Sequence, residues 1–242
     1  MLGHSHALSG LAAGAATLPF APVHTAAQQT AWVAAWGGFA MLPDLDQRGA
    51  TIGRMWGGVT EALATGIAAV ARGHRNGTHD AILAPLVFGA IAWFAGQHPW
   101  SSFVMLAFAI GLALRACNFV IPGRAENTVF GNLAMSGLGA WWITASGHFT
   151  HVSAPWLPVA VAGGVLVHIA GDWLTVGGIP VPFTWFGGHA QRVAGRFFRT
   201  GSPAEHFLAA PAFLAATVYA LYRNTGVYAA TAPLRAAIRA LG

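Results

Sequence analysis

The sequence predicts an all-α, polytopic helical membrane bundle of about six to eight spans. It reads as one membrane-embedded domain over residues 1–242. Three observations carry this. Charged residues are only 8% of the chain, against roughly 25% in an average soluble domain. Apolar residues make up 55% of it, more than a soluble fold of this size can bury. They also fall into runs at 7–22, 26–42, 80–96, 101–121, 130–146, 155–171 and 207–222, separated by connectors rich in Gly, Pro and polar residues.

The charges orient these runs. All twelve basic residues are Arg. They are dispersed beside apolar spans, which excludes a nucleic-acid-binding face and points to a role in membrane orientation. Connector 43–79 carries Arg48, Arg54, Arg72 and Arg75; 122–129 carries Arg124; 172–206 carries Arg192, Arg196 and Arg199. The intervening connectors 23–25, 97–100 and 147–154 carry none. The positive-inside rule puts the Arg-bearing connectors and the amino terminus in the cytoplasm, in a plasma or inner membrane of bacterial type. Arg223, Arg235 and Arg239 in the tail fit this map least well. MLGHSHALSG has no Lys or Arg before its first apolar stretch, which argues against a cleaved signal peptide. A single cysteine, Cys117, forms no intrachain disulfide.

The same map gathers the acids and seven histidines at the cytoplasmic edge, while His24, His98, His148 and His151 fall outside with no acid nearby. In MLPDLDQRGATIGR, Asp44 and Asp46 follow the helix-breaking Leu42-Pro43. In a looped segment two such carboxylates converge, and they repel unless a cation lies between them. Capping of a following helix is the alternative use. GHRNGTHDA brings His74 and His79 into a turn marked by Asn76-Gly77, with Arg75 suited to a phosphate or carboxylate. Here the alternative is that Thr78 and Asp80 cap the next helix. His168 and Asp172 stand four apart on one helix face, inside an otherwise apolar run. They serve either as metal ligands or as a buried His–Asp hydrogen bond. RTGSPAEHF offers Glu205, as ligand or as the Glu of a Ser202 capping box. GHSHALSG offers His6. Histidine and carboxylate without cysteine suit zinc, with manganese the choice where carboxylates dominate. The number of donors allows two or more ions, an arrangement used for phosphoester hydrolysis.

Taken in order, these motifs resemble the YdjM-type family, named for a LexA-regulated bacterial inner-membrane protein and assigned as membrane-bound metal-dependent hydrolases. The family pattern is Thr-His-x-x-x-Gly, Leu-Pro-Asp-x-Asp, His-Arg-x-x-Thr-His, His-x-x-x-Asp with a downstream Thr and Gly-x-Pro, then Gly-Ser-x-x-Glu. The matching residues are Ser5-His6 with Gly10, Leu42-Pro43-Asp44-Leu45-Asp46, His74-Arg75 with Thr78-His79, His168 with Asp172, Thr175 and Gly178-Ile179-Pro180, and Gly201-Ser202 with Glu205. Ser5 replaces the usual Thr, Gln47 stands where many members have His, and Asp80 where Ser is common. The resemblance implies a divalent metal site built from His6, Asp44, Asp46, His74, His79, His168, Asp172 and Glu205. It implies a distant similarity to the helical zinc phospholipase C and nuclease fold. The expected activity is phosphoester hydrolysis by a metal-activated water, with Glu205 or Asp46 as general base and Arg75, with Arg199 behind it, holding an anionic substrate. A site at the membrane edge points to a lipid or lipid-linked substrate, with membrane lipids as partners. The alternatives are a metal or proton transporter and a non-catalytic membrane regulator that recruits a cytosolic partner.

Overall fold

Each of the seven apolar runs contains a helix in the computed structural model, which describes residues 1–47, 50–117, 127–146, 154–187 and 190–227. Arg48, Arg124, His148, His151, His189, Arg235 and Arg239 lie outside the described residues. The helices are α1 (Gly3–Thr17), α2 (Ala26–Phe39), α4 (Leu83–Ala95), α5 (Pro99–Ala116), α6 (Val129–Ser146), α7 (Leu157–Leu174) and α8 (Ala210–Asn224). An eighth, α3 (Gly58–Val70), occupies connector 43–79, where the apolar runs predict no helix. The only strands among the described residues are β1 (Ile179–Pro180) and β2 (Arg192–Val193), paired antiparallel. The chain is therefore all-α in class.

Helix α2 is central. It packs on α1, α5 and α7, while α8 lies on α1, α4 on α7 and α6 on α5. Small residues set these contacts, as is common between helices in membranes. A Cβ on Gly38 would come within 2.0 Å of the Ala109 carbonyl oxygen on α5. One on Gly10 would meet the Trp36 carbonyl oxygen at 2.5 Å, and one on Gly164 would meet Ala40 N at 2.9 Å. So α1, α5 and α7 all approach α2 at near backbone contact. The core between them is Trp32, Phe39, Leu112, Val161 and Val165, all buried.

The outer faces reverse the soluble pattern. Leu86, Ile91 and Phe94 on α4, Phe130, Leu138 and Trp141 on α6, and Leu214, Val218 and Tyr219 on α8 are exposed. Apolar surface of this extent marks an interaction or membrane face. Helices α5 and α7, 18 residues each, are long and apolar enough to cross a membrane. The helices in the other expected spans have 13 to 15 residues, α6 with 18 excepted.

Contacts between Leu2 and Glu205, and of His168 with Ala40 and His79, bring several helix ends together. The start of α1, the end of α2, the start of α4, the end of α7 and the start of α8 share one end of the bundle. That end carries the candidate ligands.

Candidate metal centre

His168 sits one turn beyond Gly164, where α7 touches α2. The close approach brings His168 Nδ1 to 2.6 Å from the Ala40 carbonyl oxygen. A carbonyl only accepts, so Nδ1 carries the proton and Nε2 turns inward with its lone pair. Asp172, one turn further along α7, is fully buried.

Asp44 and Asp46 lie in a 3₁₀ turn, Pro43–Asp46. The sequence reading expected them to converge in a loop. At three residues per turn, residues two apart diverge instead, and the two carboxylates separate to different partners. Asp44 Oδ1 lies 3.8 Å from His79 Nε2 and 3.6 Å from His168 Nε2. Asp46 Oδ1 accepts from His74 Nδ1 at 2.7 Å. Its Oδ2 accepts from the Thr78 hydroxyl and from the Arg75 amide at 3.1 Å. The His79 ring lies between the pair, with Nδ1 3.5 Å from Asp46 Oδ2 and 3.0 Å from Thr78 Oγ1. Thr78 thus passes Asp46's hold on to His79.

Arg72 and Arg75 flank His74 with φ of 58° and 60°, a left-handed conformation uncommon away from glycine. This bend aims the Arg75 amide at Asp46 while its Nη2 donates to Asp172 Oδ1 at 3.0 Å. A Cβ at Gly177 would fall 2.2 Å from Arg75 Nη1, so glycine there admits the guanidinium.

Four donor atoms gather about the His79–His168 pair: His79 Nε2, His168 Nε2, Asp44 Oδ1 and Asp172 Oδ2. The separations are 3.1 Å between the two imidazole nitrogens, 3.5 and 3.8 Å from Asp172 to His79 and His168, and 3.8 and 3.6 Å from Asp44 to the same pair. Nitrogen and oxygen donors about 2.1 Å from a tetrahedral ion are about 3.4 Å apart. The set therefore has the dimensions of a cation site. His6 adds to it: its ring stacks on His168 at 3.6 Å, and Nε2 lies 3.3 Å from Asp172 Oδ1. Both His6 nitrogens and Asp172 Oδ2 are buried without a hydrogen bond; a cation relieves the carboxylate oxygen and the unprotonated His6 nitrogen. The Met1 amino group also lies against Asp172 Oδ1. His6, His168 and Asp172 form one group with ligand atoms within 4.8 Å, and Asp44, His74 and His79 form another.

The electrostatics of the loop residues fit a cation site. Burial alone would lower the His79 pKa, but the carboxylates of Asp172, Asp44 and Asp46 around the ring raise it to about 10. Burial opposes ionisation of Asp44, yet the surrounding imidazoles, His168 first and then His79 and His6, pull its pKa below the usual carboxylate value. Asp46 is likewise lowered against burial, by hydrogen bonds from His74 and His79. Without an ion, a proton on His79 supplies the positive charge between the carboxylates.

Two other acids are occupied elsewhere. Glu205 is fully buried; Oε1 accepts from the Leu2 amide at 2.6 Å and Oε2 from the Gly201 amide at 2.8 Å. It ties the start of α1 to the segment before α8. Asp80 accepts from the Ile82 and Leu83 amides, capping α4, and from the Phe183 amide and Trp185 Nε1. Arg199 lies in the exposed segment before α8. The sequence reading missed the Ala40 carbonyl and the link through Thr78. Only the Thr78-His79 adjacency hinted at either.

Comparison with known proteins adds the family. The family model described as YdjM inner membrane protein matches residues 1–118, which include His6, Asp44, Asp46, His74, Arg75 and His79. His168, Asp172 and Glu205 lie beyond the match. The comparisons with curated proteins and with solved structures return no match. Over residues 1–118 the chain matches the YdjM inner membrane protein family, the family that its motifs resemble.

Proposed function

We propose that this protein is a membrane-bound, metal-dependent hydrolase of phosphoester bonds, acting as one unit over residues 1–242. The observation that carries the reading is the inward set of His79, His168, Asp44 and Asp172 with separations of 3.1 to 3.8 Å. Two imidazoles and two carboxylates without thiolate suit zinc, with manganese second. Asp172 Oδ1, beside His6, is already held by Arg75 and the Met1 amino group. A divalent ion held here supplies Lewis-acid activation of water for attack at phosphorus.

The chain's own residues do the rest. Asp46 fixes His74 through Nδ1 and His79 through Thr78, a positioning role. The His74 side chain is 37% exposed, so its free nitrogen reaches solvent at the mouth. We assign the proton transfer to His74, oriented by Asp46, in place of Glu205 and Asp46, whose oxygens are hydrogen-bonded already. Arg75 holds Asp172 and presents the remainder of its guanidinium to an anionic oxygen. The donors gather at one end of the bundle, which favours hydrolysis over transport. Six to eight spans, the likeness to the zinc phospholipase C fold and the cytoplasmic facing of this end belong to the same reading. Arg54, Arg72, Arg75, Arg192, Arg196 and Arg199 in the connectors at this end support the facing.

The test is hydrolysis of bis(4-nitrophenyl) phosphate by purified protein in detergent, after loading with zinc or manganese. Metal-stimulated turnover should fall at least about a hundredfold in His74→Asn, with metal content retained. No metal-stimulated turnover in the wild type, on this or other phosphodiesters, contradicts the reading.

A further inference from the structure

Helices α3 and α4 do not close on one another. Helix α3 buries Thr60, Ala64 and Ala68 against the 43–54 segment. Its other face, with Leu63, Gly66, Ile67 and Val70, forms one wall of an apolar groove of about 520 Å³. Val87 and Ile91 on α4 line the opposite wall. Leu63, Val70, Val87 and Ile91 are exposed.

The inner end of the groove is Gly77, Thr78 and Trp185. The Thr78 hydroxyl donates to Asp46. Asp46, with Ala68, Ala69, Arg72 and His74, lines a second cleft of about 410 Å³ on the other side of the last turn of α3. One hydrogen bond thus separates an apolar groove from a cleft carrying Arg72 and the mouth of the metal centre. The groove offers few polar groups, and the Thr78 hydroxyl is already bonded. A peptide laid there would leave backbone amides unpaired, whereas a hydrocarbon chain leaves nothing unpaired. The charge next door is complementary to a phosphate. The occupant that meets both surfaces is an amphiphile with an anionic phosphate at one end and an acyl chain at the other.

We infer that the α3–α4 groove holds one acyl chain of a phospholipid whose phosphate is presented at the His74 side of the metal centre. The inference rests on the phosphoester reading of that centre and names its substrate class. Gly66 is the handle. It is exposed within the groove, and a Cβ there meets nothing within 4 Å. Gly66→Leu therefore fills the groove without a clash, and helix propensity rises.

The test uses the full chain in nanodiscs containing phosphatidylglycerol with a diazirine in one acyl chain, the cross-links being mapped by peptide mass spectrometry. Label should concentrate on residues 62–70 and 83–91. It should fall at least about fivefold in Gly66→Leu and stay at the wild-type level in Gly58→Leu, where a Cβ also meets nothing. Metal content of Gly66→Leu reports that the variant folds. With active protein, the ratio of kcat/KM for a long-chain phospholipid to that for bis(4-nitrophenyl) phosphate should fall at least about tenfold in Gly66→Leu. Label spread evenly over the exposed faces of α6 and α8, or unchanged in Gly66→Leu, overturns the inference. Groove labelling without hydrolysis of either ester upholds the lipid site and overturns the phosphoester reading alone. Turnover of the soluble ester without groove labelling does the reverse.

Discussion

His168 donates from Nδ1 to the carbonyl oxygen of Ala40 at 2.6 Å. This one hydrogen bond joins α7 to the end of α2 and fixes which ring nitrogen faces Asp44, Asp172 and His79. It exists because Gly164, one turn earlier, lets α7 meet α2 with a virtual Cβ only 2.9 Å from Ala40 N.

Replacing Gly164 by Val should therefore act at a distance. The added side chain forces α7 outward and takes His168 from Ala40. Bound metal should fall to less than about a tenth of the wild-type content, as for loss of an orienting partner. Gly137→Val, at a position on α6 where a Cβ meets nothing within 4 Å, should bind metal normally. Elemental analysis of the two purified variants checks this.

In the proposed centre Asp46 orients His74 and the Thr78–His79 pair and does not ligate. Asp46→Asn keeps the shape but weakens the hold on His74 and on the Thr78–His79 pair. Metal affinity should fall about 10- to 100-fold, the usual cost of an outer partner. Titration against a competing chelator measures it. Affinity within threefold of wild type contradicts the assignment.

The raised pKa of His79, about 10, gives two pH effects. An ion must displace the His79 proton, so apparent affinity should rise about tenfold per pH unit between pH 6 and 8, with about one proton released per ion. In metal-free protein the raised pKa stabilises the fold fully below pH 6.5, the ordinary histidine value, and that stability is lost as pH rises toward 10. The lowered pKa values of Asp44 and Asp46 stabilise above 3.8 and lose that effect as pH falls through the folded values. Thermal stability of the metal-free protein should peak between these limits, at about pH 4 to 6.5. Adding zinc should move the optimum upward. Melting curves across pH, with and without chelator, test both.

Glu205→Ala separates a structural acid from a catalytic one. The variant loses the acceptor for the Leu2 and Gly201 amides and should be destabilised by about 2 kcal/mol. The pH profile of hydrolysis by the folded fraction should keep both limbs. Loss of one limb would restore the general-base role that the motif pattern suggested.

Much of this was legible in the sequence, for physical reasons. Long apolar runs and sparse charge fix helices locally, so all seven expected runs contain one. Helix α3 escaped because it is short and has Glu61 among its apolar residues, within a connector that reads as polar. The i,i+4 pair His168 and Asp172 could be read directly, since both lie on one helix. The division between Asp44, which faces the ligand cluster, and Asp46, which orients, could not. It depends on the four-residue 3₁₀ turn Pro43–Asp46 and on partners, Thr78 and His74, about thirty residues away. The capping reading of Glu205 was open in the sequence beside the ligand reading. Only its contact with Leu2, across the whole chain, shows where its oxygens go.

In the proposed centre Asp44, His79, His168 and Asp172 hold a metal ion. Elemental analysis of detergent-purified wild type against an Asp44→Ala/His168→Ala variant tests it most directly. The wild type should hold about one or more equivalents of zinc or manganese, and a variant that remains folded by circular dichroism nearly none. A folded wild-type protein without metal, even after reconstitution with zinc and manganese, would contradict it.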